Sequence, residues 1–158
     1  MAASAARRRR RSEDGFTLVE LLVILLIIGI LIAILIPTFY GAVHRAQNRA
    51  AQTQVRNALT AEKTSYTDTA VYTATPVALA AIEPSLNYVA TTPGAGTRDV
   101  YVAVNGPGDT VVLGAQASSG SCFWLQDVAT GSGALWSTST SCSVPMAGTF
   151  SLSAPPIA

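Results

Sequence analysis

Glu20 is the residue whose type and position most strongly suggest chemistry. It is the one charged side chain in residues 16–36, a run of 21 residues of which sixteen are Leu, Ile or Val. An isolated carboxylate in such an apolar run is costly in lipid, so it marks a functional position that needs a partner. No Lys or Arg lies within two helical turns of Glu20. The sequence therefore predicts that its partner comes from elsewhere.

Cleavage after Gly15 would create such a partner. Phe16 would then carry a free α-ammonium group one helical turn from the Glu20 carboxylate. Two unit charges ~4 Å apart attract by about 4 kcal/mol at an effective dielectric constant near 20, which could keep the acid ionised in apolar surroundings. This ion pair could form within one chain or between neighbouring chains.

The peptide GFTLVELL at residues 15–22 resembles the processing site of type IV pilins, of the pseudopilins of type II secretion and of competence pilins. The resemblance implies that a membrane aspartyl protease, the prepilin peptidase, cuts between Gly15 and Phe16 and methylates the new N-terminus. It also implies that Glu20 guides docking onto the base of a growing filament. These roles are expectations carried over from that family.

Residues 16–37 are expected to form a transmembrane helix that becomes the filament core. At ~1.5 Å per residue, the 21 residues 16–36 span about 32 Å, the thickness of a bilayer hydrocarbon core. Residues 1–15 read as a leader whose five arginines, at positions 7–11, keep the N-terminus cytoplasmic. A nucleic-acid-binding tail or a twin-arginine address is the alternative interpretation of these arginines. The expected location is the cytoplasmic membrane for the precursor and an extracellular filament after assembly.

Gly29 and Pro37 are the helix-weakening positions of this segment. Glycine costs about 1 kcal/mol relative to alanine in a helix, and Pro37 removes the hydrogen bond to the carbonyl of Ala33. We expect a kink or a loosened turn between them. In the pilins that the chain resembles, such a pair bounds a stretch that can lose helicity in the filament. The alternative is a tolerated membrane glycine and an interfacial proline.

Residues 38–66 are predicted to continue the helix as an amphipathic segment. One face carries apolar or small side chains: Tyr40, Val43, Ala50, Ala51, Val55 and Ala58. The opposite side carries a basic stripe: Arg45, Arg49, Arg56 and Lys63. We interpret the stripe as a solvated face or as inter-subunit ion pairing, with DNA contact as the alternative. Without residues 1–15 the side chains sum to −2, so overall charge gives no argument for nucleic acid.

The rest of the chain is predicted to form a small β-sheet domain, which makes the fold class α+β. Residues 67–98 read as a connecting loop, with a break at residues 67–69, a short helix at 77–83 and one strand around 86–91. Residues 99–158 read as an antiparallel meander with strands at 99–104, 110–117, 121–128 and 134–138. The segment 143–158 carries few signals.

Cys122 and Cys142 are the only cysteines. An even count in a segment that must lie across the membrane favours a disulfide in an oxidising compartment. A loop of this size contributes about 3 kcal/mol in the chain-entropy model. A metal site is the weaker interpretation, because Cys-x-x-Cys spacing is missing and the only histidine, His44, lies near the membrane segment.

No enzymatic constellation is visible in the sequence, and no cofactor or metal is expected. A single histidine supports no Ser/His/Asp or Cys/His arrangement, and no phosphate-binding loop or paired-carboxylate signature occurs. Calcium binding by three aspartates is an alternative, although their spacing fits no calcium loop: Asp99, Asp109 and Asp127. Three aromatic residues near the cysteines are expected in the core, with a surface adhesion patch as the alternative: Phe123, Trp124 and Trp136.

The sequence therefore predicts a structural subunit of a type IV pilus-like filament. The alternatives are a pseudopilin of type II secretion and a signal-anchored surface protein that never polymerises. The expected partners are the prepilin peptidase, other copies of the chain and related pilins, the membrane platform of the assembly machine, and the lipid bilayer before assembly.

Overall fold

The computed structural model describes residues 15–131 and 133–145. The arginines at positions 7–11 and the chain from residue 146 onward lie outside the described residues. The chain divides between Phe39 and Tyr40 into two compact units. Its elements are a long helix, a short helix and a five-stranded, mostly antiparallel sheet, which confirms the predicted α+β class.

The first unit contains the beginning of helix α1, which runs over Leu18–Thr69. Its large apolar side chains are all exposed, from 40% for Ile24 to 78% for Leu18. By length and composition, α1 is able to cross a membrane. The helix is assigned without interruption through Gly29 and Pro37. Loosening of this stretch in a filament stays a prediction.

In the second unit, α1 buries one side against the sheet. The buried residues are mostly three or four positions apart: Ala51, Gln52, Val55, Ala58, Ala61, Glu62 and Ser65. The predicted face is therefore correct at Ala51, Val55 and Ala58, but Tyr40 and Ala50 are exposed. Tyr40 precedes the buried part of the helix. Ala50 lies about 100° around the axis from Ala51, which turns it away from the sheet.

The predicted helix break at residues 67–69 is wrong, because α1 continues through Thr69. The hydroxyl groups of Thr67 and Thr69 donate to the carbonyl oxygens of Thr64 and Ser65, so these threonines satisfy helix carbonyls instead of opening a turn. Ala70, the residue after the helix, has a φ of 58°, which lies in the left-handed region. This conformation reverses the chain direction at the helix C-terminus.

The connection to the sheet contains helix α2, Pro76–Ile82, and strand β1, Asn87–Val89. The predicted short helix and strand are confirmed within a few residues. Proline suits the first turn of α2, since its missing N–H is not needed there. Strand β1 pairs parallel with the next strand, with Asn87 opposite Asp99. The antiparallel prediction therefore holds for four strands, and β1 adds a parallel edge.

The four later strands are β2, Asp99–Val104; β3, Thr110–Gln116; β4, Cys122–Val128; and β5, Leu135–Ser139. They follow chain order in the sheet and are antiparallel to their neighbours. Gly108, with a φ of 77°, donates its N–H to the carbonyl of Asn105 in the β2–β3 turn. The predicted meander is confirmed, with shifts of about one residue at strand ends.

The core lies between α1 and one face of the sheet. Strand register places Val102, Leu113, Leu125 and Trp136 in one row across four strands. All four are buried in the same cluster as the alanines of α1. Small helix side chains allow the helix to approach the larger side chains of the sheet. A fully buried Leu contributes roughly 2 kcal/mol, so this row is a major source of stability.

Candidate functional site

Glu20 lies in the first turn of α1. Thr17 precedes the helix, and its hydroxyl oxygen accepts a hydrogen bond from the backbone N–H of Glu20 at 3.2 Å. Phe16 is 72% exposed. This cap begins the helix directly after the predicted cleavage point, which places Glu20 one turn from residue 16.

The capping role of Thr17 was not predicted from the sequence. The available signal was the Thr-x-x-Glu spacing of residues 17–20, which is the spacing of a capping box. The motif therefore has a local structural function in addition to its implied recognition by a peptidase.

Gly15 has no structural reason to be glycine in the described residues. A Cβ atom added at Gly15 would meet no other atom within 4 Å, and the same is true at Gly29. Neither residue has a backbone φ in the left-handed region. Packing thus leaves both positions open to a side chain, and any requirement for glycine there must come from another molecule or from helix flexibility.

The basic stripe is exposed, as predicted, and two of its members make contacts within the second unit. The guanidinium of Arg56 lies 5.3 Å from the ring centroid of Trp136. The amine of Lys63 lies 3.4 Å from an Asp127 carboxylate oxygen. Both contacts join the helix to the sheet of the same chain, which neither interpretation of the stripe predicted. His44, beside the stripe, is exposed.

The predicted disulfide between Cys122 and Cys142 is confirmed, with Cα atoms 5.4 Å apart. It links the beginning of β4 to the segment that follows β5. The three aromatic residues nearby are buried, as predicted: Phe123, Trp124 and Trp136.

Trp124 lies on the sheet face opposite Leu125 and packs over Gly114 of β3. Any Cβ at Gly114 would clash with this ring, so the glycine provides the space that the tryptophan occupies. Tyr101 meets the ring edge-on at 5.5 Å. The core therefore extends to both faces of the sheet near the disulfide.

The structure does not bring the three aspartates of the calcium alternative together. Asp99 begins β2, whereas Asp127 pairs with Val111 beside the other end of that strand. A hydrogen bond from Asn87 lowers the pKa of Asp99. Asp109 lies in the β2–β3 turn, and hydrogen bonds from Asn105 and Thr110 lower its pKa. Within the described residues, no group of three or more His, Cys, Asp or Glu side chains could hold a metal ion.

Glu62 is a buried acid that the sequence analysis missed. Its side chain has no exposed surface, and one carboxyl oxygen, Oε2, accepts a hydrogen bond from the N–H of Thr73 at 3.2 Å. The other oxygen, Oε1, has no partner. Burial raises the pKa of Glu62 to about 7, because an ionised carboxyl group loses more hydration than a neutral one. On the sequence, Glu62 looked like one more charge of a solvated helix.

Tyr72 and Asp127 form a second set of buried polar groups near Glu62. The Tyr72 hydroxyl donates to an Asp127 oxygen at 2.5 Å, and this same oxygen faces the amine of Lys63. Burial and the neighbouring Asp127 raise the pKa of Tyr72. The residues around this pair line a cavity of about 280 Å³, with walls that include Tyr66 and Ala129.

We call the second compact unit the head. We expect the head to become less stable as pH rises from about 5 to about 7. A folded-state pKa near 7 for Glu62 exceeds the unfolded value of 4.5, so its stabilising effect is complete below the unfolded pKa and lost as pH passes the folded pKa. The expected loss is about 2 kcal/mol over this interval. The measurement is urea unfolding of the full chain in detergent micelles, followed by tryptophan fluorescence.

Both tryptophans, Trp124 and Trp136, lie in the second unit, so their fluorescence follows that unit alone. Glu62→Gln is the matched control, because it preserves shape and hydrogen-bond acceptance but cannot ionise. Its unfolding free energy should lack the decrease seen in the unaltered chain. Parallel pH curves for the two proteins would contradict the assignment to Glu62.

A family model for the prokaryotic N-terminal methylation motif matches residues 10–36. This motif is characteristic of type IV pilins and pseudopilins. The long apolar helix followed by the mostly antiparallel sheet is a pilin-like architecture. The comparisons with curated proteins and with solved structures give no match.

Motif and architecture together support a type IV pilin-like or pseudopilin protein. Proteins with this motif are structural rather than enzymatic. The apolar helix and the motif indicate a precursor anchored in a membrane.

Proposed function

We propose that this chain is a structural subunit of a type IV pilus-like filament, made as a membrane-anchored precursor. The observation that carries the proposal is the single acid, Glu20, placed by the Thr17 cap in the first turn of a helix whose apolar side chains are exposed. Lipid covers that surface in the precursor, and other copies of the helix cover it in the filament.

Processing comes first in the proposed mechanism. The arginines at positions 7–11 hold the leader on the cytoplasmic side of the membrane. The prepilin peptidase then cuts between Gly15 and Phe16 and methylates the new amine of Phe16. The open space around Gly15 supports this role, because packing within the described residues does not require glycine there and recognition by another molecule can.

Assembly follows at the membrane platform. The Glu20 carboxylate of an incoming subunit pairs with the Phe16 amine of its neighbour, and the apolar helices leave the bilayer to pack in the filament core. Helix formation from Leu18 onward keeps the acid and the amine at opposite ends of one helical turn. The disulfide-closed heads then form the outer surface, with Gly29 and Pro37 as weak points of the core helix.

A pseudopilin of a type II secretion system is the second candidate, because the matched motif is characteristic of both groups. A pseudopilin would use the same cleavage, the same acid and the same helix packing in a short secretion filament. Long filaments sheared from cells would favour the pilin, and their absence despite processing would favour the pseudopilin.

Mass spectrometry of the intact protein and of its N-terminal peptide tests the first step. We expect a chain from the native host that begins at Phe16 and carries a methyl group on its α-amine. A signal-anchored protein that never polymerises would instead retain residues 1–15. Retention of the arginines at positions 7–11 would contradict processing and, with it, the proposed partner of Glu20.

A further inference from the structure

The segment between α1 and α2, residues 70–75, is a strap that folds back beside the end of α1. Three hydrogen bonds join Tyr72 and Thr73 of the strap to the sheet, the β2–β3 turn and α1. The Tyr72 N–H donates to the Gly108 carbonyl at 2.8 Å, and the Tyr72 hydroxyl donates to Asp127 at 2.5 Å. The third bond joins the Thr73 N–H to Glu62 at 3.2 Å. Two of the three acceptors are carboxyl groups, and the one on Glu62 has no exposed surface.

The strap begins in a strained conformation. Ala70 has a φ of 58°, and a left-handed backbone costs a residue with a Cβ roughly 1 kcal/mol or more. Among described residues with a side chain, Ala70 alone has a positive φ. The Ala70 N–H bond to Tyr66 and the Thr69 hydroxyl bond to the Val71 carbonyl support this turn locally, and the contacts of residues 72 and 73 hold the strap beyond it. Loss of one of them favours opening of the strap.

The groups around Glu62 leave its carboxyl poorly compensated. The buried hydroxyl of Tyr88 on β1 has no hydrogen-bond partner among the described residues, and the charges of Glu83 and Glu62 contribute, after burial, to its raised pKa. Tyr72 faces Glu62 from the strap. On α1, the amine of Lys63 is directed to Asp127 of β4. Among the described residues, no ion pair is formed by Glu62 itself.

We propose that Glu62 is a pH-sensitive latch. The neutral carboxyl group of Glu62 holds the strap, and the ionised carboxylate releases it. A buried carboxylate needs several hydrogen bonds or an opposite charge, whereas the structure gives Glu62 one backbone donor. The Thr73 N–H favours the charged form, but burial outweighs it. Ionisation is therefore accommodated by entry of water between α1 and the strap, and water replaces the bond to Thr73. The sheet, whose hydrogen bonds do not involve Glu62, stays closed.

Release of the strap affects an exposed apolar surface. Val71 lies in the strap and is 43% exposed, and Val77 in the following helix α2 is 80% exposed. Helix α2 contains no polar side chain. The latch thus controls the mobility of this surface on the head, and it acts whether or not the chain assembles into filaments.

Amide hydrogen exchange of the full chain in detergent micelles tests the latch. Protection of the Thr73 and Tyr72 amides, corrected for the intrinsic pH dependence of exchange, is compared at about pH 5.5 and about pH 8. With a pKa of about 7 for buried Glu62 and 4.5 for the hydrated group, opening becomes about thirtyfold more favourable between these pH values, so we expect protection to fall about thirtyfold. The amide of Val102 in β2, a core residue, exchanges through unfolding of the whole head and should stay better protected than Thr73 at both pH values.

Two variants isolate the cause. Glu62→Gln cannot ionise and should show equal protection of Thr73 at both pH values. His44→Gln removes the one histidine of the sequence and should behave like the unaltered chain. Unchanged protection in the unaltered chain, or an equal fall in Glu62→Gln, would overturn the proposal. Equal protection of Thr73 and Val102 at the higher pH would also overturn it, since opening would then be global.

Discussion

Replacing Glu20 with Ala is expected to leave cleavage after Gly15 largely intact and to abolish filaments. The acid provides the only charge in the apolar segment, and no other group there can pair with the Phe16 amine of a neighbouring subunit. Loss of an attraction of about 4 kcal/mol corresponds to roughly a thousandfold weaker docking step. The measurement is the yield of sheared filaments, by electron microscopy and immunoblotting, from cells that express the variant as their only copy.

Charge and shape can be separated at this position. Glu20→Gln keeps the side-chain length without the charge and should also lack filaments, whereas Glu20→Asp keeps the charge and should retain part of the yield. Mass spectrometry of each membrane-bound variant verifies that processing at Phe16 is unaffected. Normal filaments from Glu20→Ala would remove the proposed assembly role of the carboxylate.

Breaking the disulfide is expected to lower the unfolding free energy of the head by about 3 kcal/mol. The bond closes a loop with a sequence separation of 20 residues, so its loss increases the conformational entropy of the unfolded chain. Cys142→Ser is the suitable variant, because Cys142 is partly exposed whereas Cys122 is fully buried beside Trp124. Urea unfolding followed by tryptophan fluorescence measures the change.

Ser143→Ala is a matched control in the same segment, since its side chain is exposed and its substitution should change stability by less than about 0.5 kcal/mol. Reduction of the unaltered chain should reproduce the effect of Cys142→Ser. Equal stability of the oxidised and reduced proteins would show that the bond does not stabilise the head.

The elements predicted best are those whose signals are local. Strand β2 was predicted with its observed ends, because Val100, Val102 and Val104 alternate with less buried residues and a glycine-rich turn follows. Helix α2 was recognised from Pro76 at its first turn. In both cases the local pattern and the final environment favour the same structure.

The errors arise where the same residues fit two local structures or where distant residues decide the outcome. The Thr67-Asp68-Thr69 sequence resembles a loop, yet threonine hydroxyls bond back to helix carbonyls and the helix continues. The parallel pairing of β1 depends on the path of residues 90–98, which short-range patterns do not specify. Pairing partners of an isolated three-residue strand are chosen by the sheet that it joins.

The sequence by itself determined the membrane segment, the processing motif with Glu20, the cysteine pair and the α+β class. These depend on composition and on short spacings, which remain visible in an unfolded chain. The tertiary structure alone decided which helix face is buried, where β1 pairs, and that Glu62 is a buried acid. Burial raises the pKa of Glu62 because the surrounding protein replaces water, and that replacement occurs only when α1, the strap and β1 come together.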